Sequence, residues 1–168
     1  MELLVENISS EVSEDFISTY ELERNKPMPS LNHSLIQSNL IFELKSRYRK
    51  DFSFPSEIDL VMPERPHAVP DIAIYPKLEM DSFEDKISMT QFPLTTIEIL
   101  SPTQTEEELV SKARRYFAAG AKSCWIVLPI FKVIIVFSEP TKRQVFTEDM
   151  TLIDGKTGIE LPLNDVFS

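Results

Sequence analysis

The segment Leu94-Thr95-Thr96-Ile97-Glu98-Ile99-Leu100 sets the strongest constraint on the fold. Apart from Glu98 it holds only Leu, Ile and Thr, so it predicts a strand covered on both faces at the centre of a sheet. The residues after it predict a helix over 106–119. Thr103-Gln104-Thr105-Glu106 reads as a capping box, Glu106, Glu107 and Glu108 open the first turn, and Gly120 stands where a C′ glycine belongs. Cys124–Leu128 and Lys132–Phe137 are two further strands, joined as a hairpin through Pro129-Ile130-Phe131.

Upstream, the turn-rich stretch from Asn25 to Ser30 leads into a helix over 32–49, with Asn32 as the N-cap residue type. Its apolar positions Ile36, Leu40, Leu44 and Tyr48 step by four, with Ile41 alongside, and present one stripe to a core. Lys45, Arg47, Arg49 and Lys50 suit the negative pole of its dipole. Ile58, Leu60 and Met62 alternate with Glu57, Asp59 and Val61 as a half-exposed strand, and Val69–Tyr75 forms another, entered through Pro70. An acidic loop runs from Pro76 to Gln91, and Gln144–Thr147 and Thr151–Leu161 give weaker strands. The expected architecture is one α/β domain over 20–168, a mixed central sheet with both helices packed on it, preceded by an arm over 1–19.

Composition removes several function classes. Three glycines cannot build a GxGxxG turn or a phosphate-cradling P-loop. The single cysteine, Cys124, excludes a disulfide framework and a cysteine zinc site, and it suits a reducing compartment such as the cytoplasm. His33 and His67 are too few for a multi-histidine metal site. The longest apolar run, Cys124 to Phe131, is eight residues, against the ~20 a membrane span needs. The first residues lack a basic n-region, so neither a signal peptide nor a membrane partner is expected. A net charge of −10 disfavours broad, nonspecific binding of nucleic acid while leaving room for a local basic groove.

Three residues stand out against this background. Glu98 lies inside the strand most expected to be buried, where an ionised carboxylate must be paired, protonated or metal-bound. Taken alone, a salt bridge or an edge location accounts for it. Asp71 opens a strand directly after Pro70, which by itself suits a turn or cap residue. Lys112 sits three residues after Leu109 and four before Tyr116, on or beside the inward stripe, though such a lysine can also snorkel to solvent. Together the three gain meaning. Two carboxylates at the ends of adjacent strands can hold a hard divalent cation such as Mg²⁺, and a nearby ammonium can position a water and offset phosphate charge. Asp71 to Glu98 spans 27 residues and Glu98 to Lys112 spans 14, a spacing that fits strand, loop, strand, helix.

Pro70-Asp71, Glu98-Ile99-Leu100-Ser101-Pro102-Thr103, Lys112 with Tyr116, and Cys124-Trp125-Ile126-Val127 together resemble a large bacterial family. It is a restriction-endonuclease-like family, a domain of unknown function within the PD-(D/E)xK nuclease superfamily. The similarity runs from Tyr20-Glu21 to Leu163, and His33 after its Pro-Ser turn matches too. The resemblance implies a restriction-endonuclease-like fold and a hydrolase that cuts phosphodiester bonds, with nucleic acid, above all DNA, as partner. It implies that Asp71 and Glu98 bind Mg²⁺ (or Mn²⁺), with the Ile99 carbonyl as an added ligand by analogy. The ExK lysine position holds Leu100, and the family's displaced lysine corresponds to Lys112 on the next helix.

His33 shares a helix face with Ile36 and Leu40, so it reads as a hydrogen-bonded core histidine or as a site contact. Glu21 is a candidate third acidic group. Glu57 and Asp59 share one strand face and are expected to be solvated, while Cys124 and Trp125 belong in the core. Lys112, Arg114, Arg115 and Lys122 are candidates for a DNA groove. Asp71→Ala and Glu98→Ala are expected to stabilise the metal-free protein by removing close like charges. Two functional readings follow: a Mg²⁺-dependent nuclease, homodimeric like many enzymes that cut duplexes, or a catalytically inactive binding or assembly module on the same fold. Leu100 and the acidic balance favour the second, and Asp71, Glu98 and Lys112 the first.

Overall fold

In the computed structural model, residues 22, 26–64 and 66–168 are described; the expected arm over 1–19 and the Tyr20-Glu21 pair lie outside them. In chain order the elements are α1 (Leu31–Tyr48), β1 (Phe52–Ser53), β2 (Asp59–Leu60), β3 (Ile72–Pro76), β4 (Ser88–Met89), β5 (Thr95–Ile99), α2 (Glu106–Ala119) and β6 (Ser123–Leu128). A 3-10 turn (Pro129–Phe131) leads to β7 (Val133–Glu139), β8 (Lys142–Thr147), β9 (Thr151–Asp154) and β10 (Ile159–Pro162). The main sheet is ordered β1-β3-β5-β6-β7-β8. Within it β5 and β6 pair in parallel across the α2 crossover, and the other pairs are antiparallel, so the sheet is mixed as expected.

Strand β5 is buried at every position. Its alternation divides the core. Ile97 and Ile99 join Ile36, Leu40 and Leu44 of α1 on one face. On the other face, Leu109, Ala113 and Tyr116 of α2 pack with Ala73, Cys124 and Ile126. Glu98 has the opposite parity to Ile97 and Ile99, so the strand delivers its carboxylate to the α2 side. The hairpin β9–β10 completes the α1 layer, where the Tyr48 hydroxyl donates to Glu160 O at 2.9 Å. No helix among the described residues is long and apolar enough to cross a membrane.

Local chemistry moves several expected boundaries. α1 is capped by Ser30, whose hydroxyl accepts from His33 N at 3.2 Å, so the helix opens before Asn32. The capping box of α2 is Thr105 with Glu108, two residues later than expected, and both of its reciprocal bonds form. Gly120 follows at φ 117°, the left-handed geometry a C′ glycine supplies at least cost. The alternating run 57–62 does not make one long strand. Glu57 takes φ 51°, outside extended geometry, which breaks the run at its start, and only Asp59–Leu60 pairs, with β4 from the acidic loop. Strand β1 was not expected, and 151–161 folds as two strands around the Asp154–Gly158 turn.

Candidate active site

Strands β3 and β5 bring the two singled-out carboxylates together. Ile72 is registered against Ile97, so one residue further along Asp71 stands opposite Glu98. Asp71 is fully buried, at 0% exposure. Its Oδ2 accepts from Ile99 N at 2.7 Å; its Oδ1 takes the Lys26 ammonium and His33 Nε2, the latter at 3.1 Å. The Gln37 side chain donates to Asp71 O at 2.9 Å, tying the strand entry to α1. Burial alone would raise the Asp71 carboxyl, but the His33 hydrogen bond and the Lys26 charge outweigh it and hold the group below its ordinary value. His33 is a buried residue on the Ile36/Leu40 face, and it contacts the site through Nε2, leaving Nδ1 without a partner among the described residues.

Glu98, 3% exposed, is held from α2. Lys112 and Tyr116 are one turn apart on the same helix face, and both reach Glu98 Oε1, the ammonium at 2.8 Å and the phenol hydroxyl at 2.6 Å. Burial, followed by the Glu98 charge, pushes the Tyr116 phenol well above its ordinary value, so it stays a proton donor to the carboxylate. Leu100 shares Glu98's face and packs in the α2-side core. The ammonium that a lysine at position 100 would bring to Glu98 thus arrives from the helix. Leu100 N donates to Val127 O, on the β6 side. The main-chain groups of Ile99 therefore face the opposite edge, its N–H bonded to Asp71 and its carbonyl on that same edge.

Lys26 is the site residue that sequence reasoning missed. It lies in the Pro-rich turn before α1, only 9% exposed, with Nζ bonded to Asp71, 3.4 Å from Val69 O and 3.9 Å from Glu57 Oε1. Burial would lower its ammonium, but Asp71, Glu98 and Glu57 raise it, so the group is a fixed cation. An open cleft of about 580 Å³ lies over the site, lined by Lys26, Lys112, Arg115, His67, Gln104 and Ser111 among others. Lys26 and Lys112 thus stand between the buried carboxylates and the cleft. Of the four residues expected in a basic groove, only Lys112 and Arg115 line it; Arg114 and Lys122 are exposed elsewhere, because positions 112 and 115 share a helix face and 114 does not. Glu21 lies outside the described residues. Glu57 and Asp59 are half-buried rather than solvated, Asp59 accepting from Ser88 Oγ at 2.5 Å and contacting His67 Nδ1 at 2.9 Å. Cys124 and Trp125 are core residues, as expected.

The donor set fits a hard divalent ion. Two carboxylates and a main-chain carbonyl edge offer only oxygen, and Mg²⁺ is ordinarily held by one or two carboxylates, with waters and substrate phosphates completing its shell. Among the described residues no three His, Cys, Asp or Glu side chains gather into a cage, so this is a two-carboxylate arrangement.

A mixed sheet with a parallel β-α-β crossover, an Asp and a Glu opposed on neighbouring strands and a lysine beside the Glu defines a restriction-endonuclease-like α/β fold. The chain belongs to the Uma2 family, described as putative restriction endonuclease, whose model matches residues 19–164. A crystal structure of a putative nuclease belonging to DUF820 from Anabaena variabilis has a similar fold. Its TM-score is 0.72 at 23% identity, over 84% of this chain and 83% of that one. No curated protein matches the chain.

Proposed function

We propose that the chain is a metal-dependent endonuclease that hydrolyses phosphodiester bonds in DNA, with Asp71, Glu98 and the Ile99 carbonyl holding Mg²⁺ or Mn²⁺ and Lys112 serving the attacking water. One observation carries the reading: the Lys112 ammonium lies 2.8 Å from the buried Glu98 carboxylate, on the strand neighbouring Asp71. A divalent ion there would acidify a water and neutralise charge on the phosphate. The chain's own residues do the rest. Ile99 N–H and His33 fix the Asp71 carboxylate, Tyr116 fixes Glu98, and Lys112, its side chain 25% exposed, reaches from Glu98 to the cleft where a phosphodiester would lie. Arg115 on the same wall, its guanidinium anchored on Glu64 O and Pro66 O, joins Lys26 and Lys112 as positive charge for the nucleic-acid backbone, set against Glu107 and Glu108 of the same cleft. The enzyme acts in the cytoplasm as a homodimer, whose two-fold axis would present one site to each strand of a duplex.

The test is cleavage of plasmid DNA and of DNA and RNA oligonucleotides while Mg²⁺ or Mn²⁺ is titrated in. Metal-dependent cuts in DNA that disappear in Lys112→Ala are expected. Nucleic acid bound but uncut with either ion would instead support the second reading, a binding module on a nuclease fold. The observation that favours that reading is the lysine, Lys26, already seated on Asp71.

A further inference from the structure

The Lys26 ammonium has the surroundings of a bound cation. It is 9% exposed and touches one carboxylate oxygen of Asp71, with the Val69 carbonyl at 3.4 Å and a Glu57 carboxylate oxygen at 3.9 Å. The Asp71 oxygen it uses, Oδ1, also takes His33, and Oδ2 is already engaged by Ile99 N. Lys26 and His33 thus occupy both lone pairs of Oδ1, so a divalent ion that takes that oxygen must displace the ammonium already seated there. Lys26 is also a wall residue of the cleft, so its side chain has open space beside it into which it can withdraw.

We propose that Lys26 is the resident counter-cation of the site, and that it and a divalent ion are mutually exclusive partners of Asp71. This rests on the metal-dependent reading above. Its consequence is a set point for metal affinity. An ion binds only the fraction of molecules in which Lys26 has left Asp71, and apparent affinity is the intrinsic affinity multiplied by that fraction. If Lys26 holds Asp71 in nine of ten molecules, the loss is about tenfold. Lys26 also keeps Asp71 neutralised when no ion is present, which lets the buried carboxylate persist in the folded chain.

Mn²⁺ binding to the full chain, followed by the electron paramagnetic resonance of free Mn²⁺, reads the affinity without any cleavage assay. Lys26→Met should bind Mn²⁺ about tenfold or more tightly than wild type. Lys26→Arg, which keeps the charge, should bind no more tightly, and Glu98→Gln should bind more weakly. A second measurement needs no variant: acetylation of the wild-type lysines by acetic anhydride, quantified by mass spectrometry. Lys26 should be protected in metal-free protein and become reactive when Mg²⁺ is saturating, while exposed Lys122 stays constant. Equal affinity in Lys26→Met and wild type, with Glu98→Gln weakened, would overturn the role of Lys26 and leave the metal site standing. Lys26 reactivity unchanged by Mg²⁺ in a protein that binds Mn²⁺ would overturn it equally. Absence of Mn²⁺ binding in every form would overturn the metal site and the proposal together.

Discussion

Asp71 shows how one buried carboxylate can reverse an expectation drawn from charge alone. Two neighbouring acids suggest relief on removing one, yet Asp71 is paired with Lys26 and His33 and bonded to Ile99 N. Asp71→Ala would strip Lys26, His33 and Ile99 N of their shared partner at once, so the metal-free protein should lose roughly 3 kcal/mol, measured by urea unfolding. An unchanged or raised midpoint would mean that these groups find other partners once Asp71 is gone. The pH dependence follows from the direction of the shift. The Asp71 carboxyl is held below its ordinary value, so its contribution is present above the unfolded pKa of about 3.9 and is lost as pH falls through the folded one. The gap in stability between wild type and Asp71→Ala should therefore hold near neutral pH and close below pH ~4. Cys124 gives a second test at this scale: burial pushes its thiol up to about 12. A disulfide reagent at pH 8 should leave it untouched in the folded chain and label it once urea unfolds the protein. Rapid labelling of folded protein would contradict its place in the core.

Among the elements, α2 carries the most, because it covers one face of the sheet and delivers both Lys112 and Tyr116 to Glu98. Its N-terminus is fixed by the reciprocal bonds of Thr105 and Glu108. Thr105→Ala should cost about 1 kcal/mol, a fall of roughly 2–4 °C in Tm for a chain of this size, read by calorimetry. Loss of cleavage together with that small fall would show that the cap positions Lys112 as well as stabilising the helix. This element was legible because its signals are local: acidic first turn, apolar stripe, terminal glycine. Strand β5 was legible for the same reason, its composition demanding cover on both faces. The carboxylate pair and Lys112 were legible from spacing together with a family resemblance, since neither spacing nor burial alone names a partner. Lys26 was not. Its contacts lie 43 and 45 residues along the chain, and it sits in a turn without periodicity. The capping residue Ser30 and the short strand β1 were missed because a one-residue choice of cap and a two-residue pairing leave almost no pattern to read.

At the scale of the whole molecule, the sheet is a platform whose two faces are served by different layers, with the site where β3 begins and β5 finishes, beside α2. The hairpin β6–β7 is built from an almost continuous apolar run. Most of it is spent in the core, and exposure is concentrated at its turn, in Ile130 at 82% and Phe131 at 65%. If the chain dimerises through this turn, as proposed, light scattering at micromolar concentration should give twice the monomer mass for wild type and the monomer mass for Ile130→Glu combined with Phe131→Glu. A monomer mass for wild type, independent of concentration, would remove the dimer. The central claim concerns Lys112, and one comparison tests it most directly: single-turnover cleavage of duplex DNA by wild type and Lys112→Ala, each at saturating Mg²⁺, with Mn²⁺ binding measured alongside. Lys112→Ala should fold, should retain Mn²⁺ within a few fold of wild type, and should fail to cut, and Lys112→Arg should fail too because guanidinium is bulkier and does not give up a proton. Cleavage by Lys112→Ala at the wild-type rate would contradict the assignment and move the chemistry away from Glu98 and its lysine.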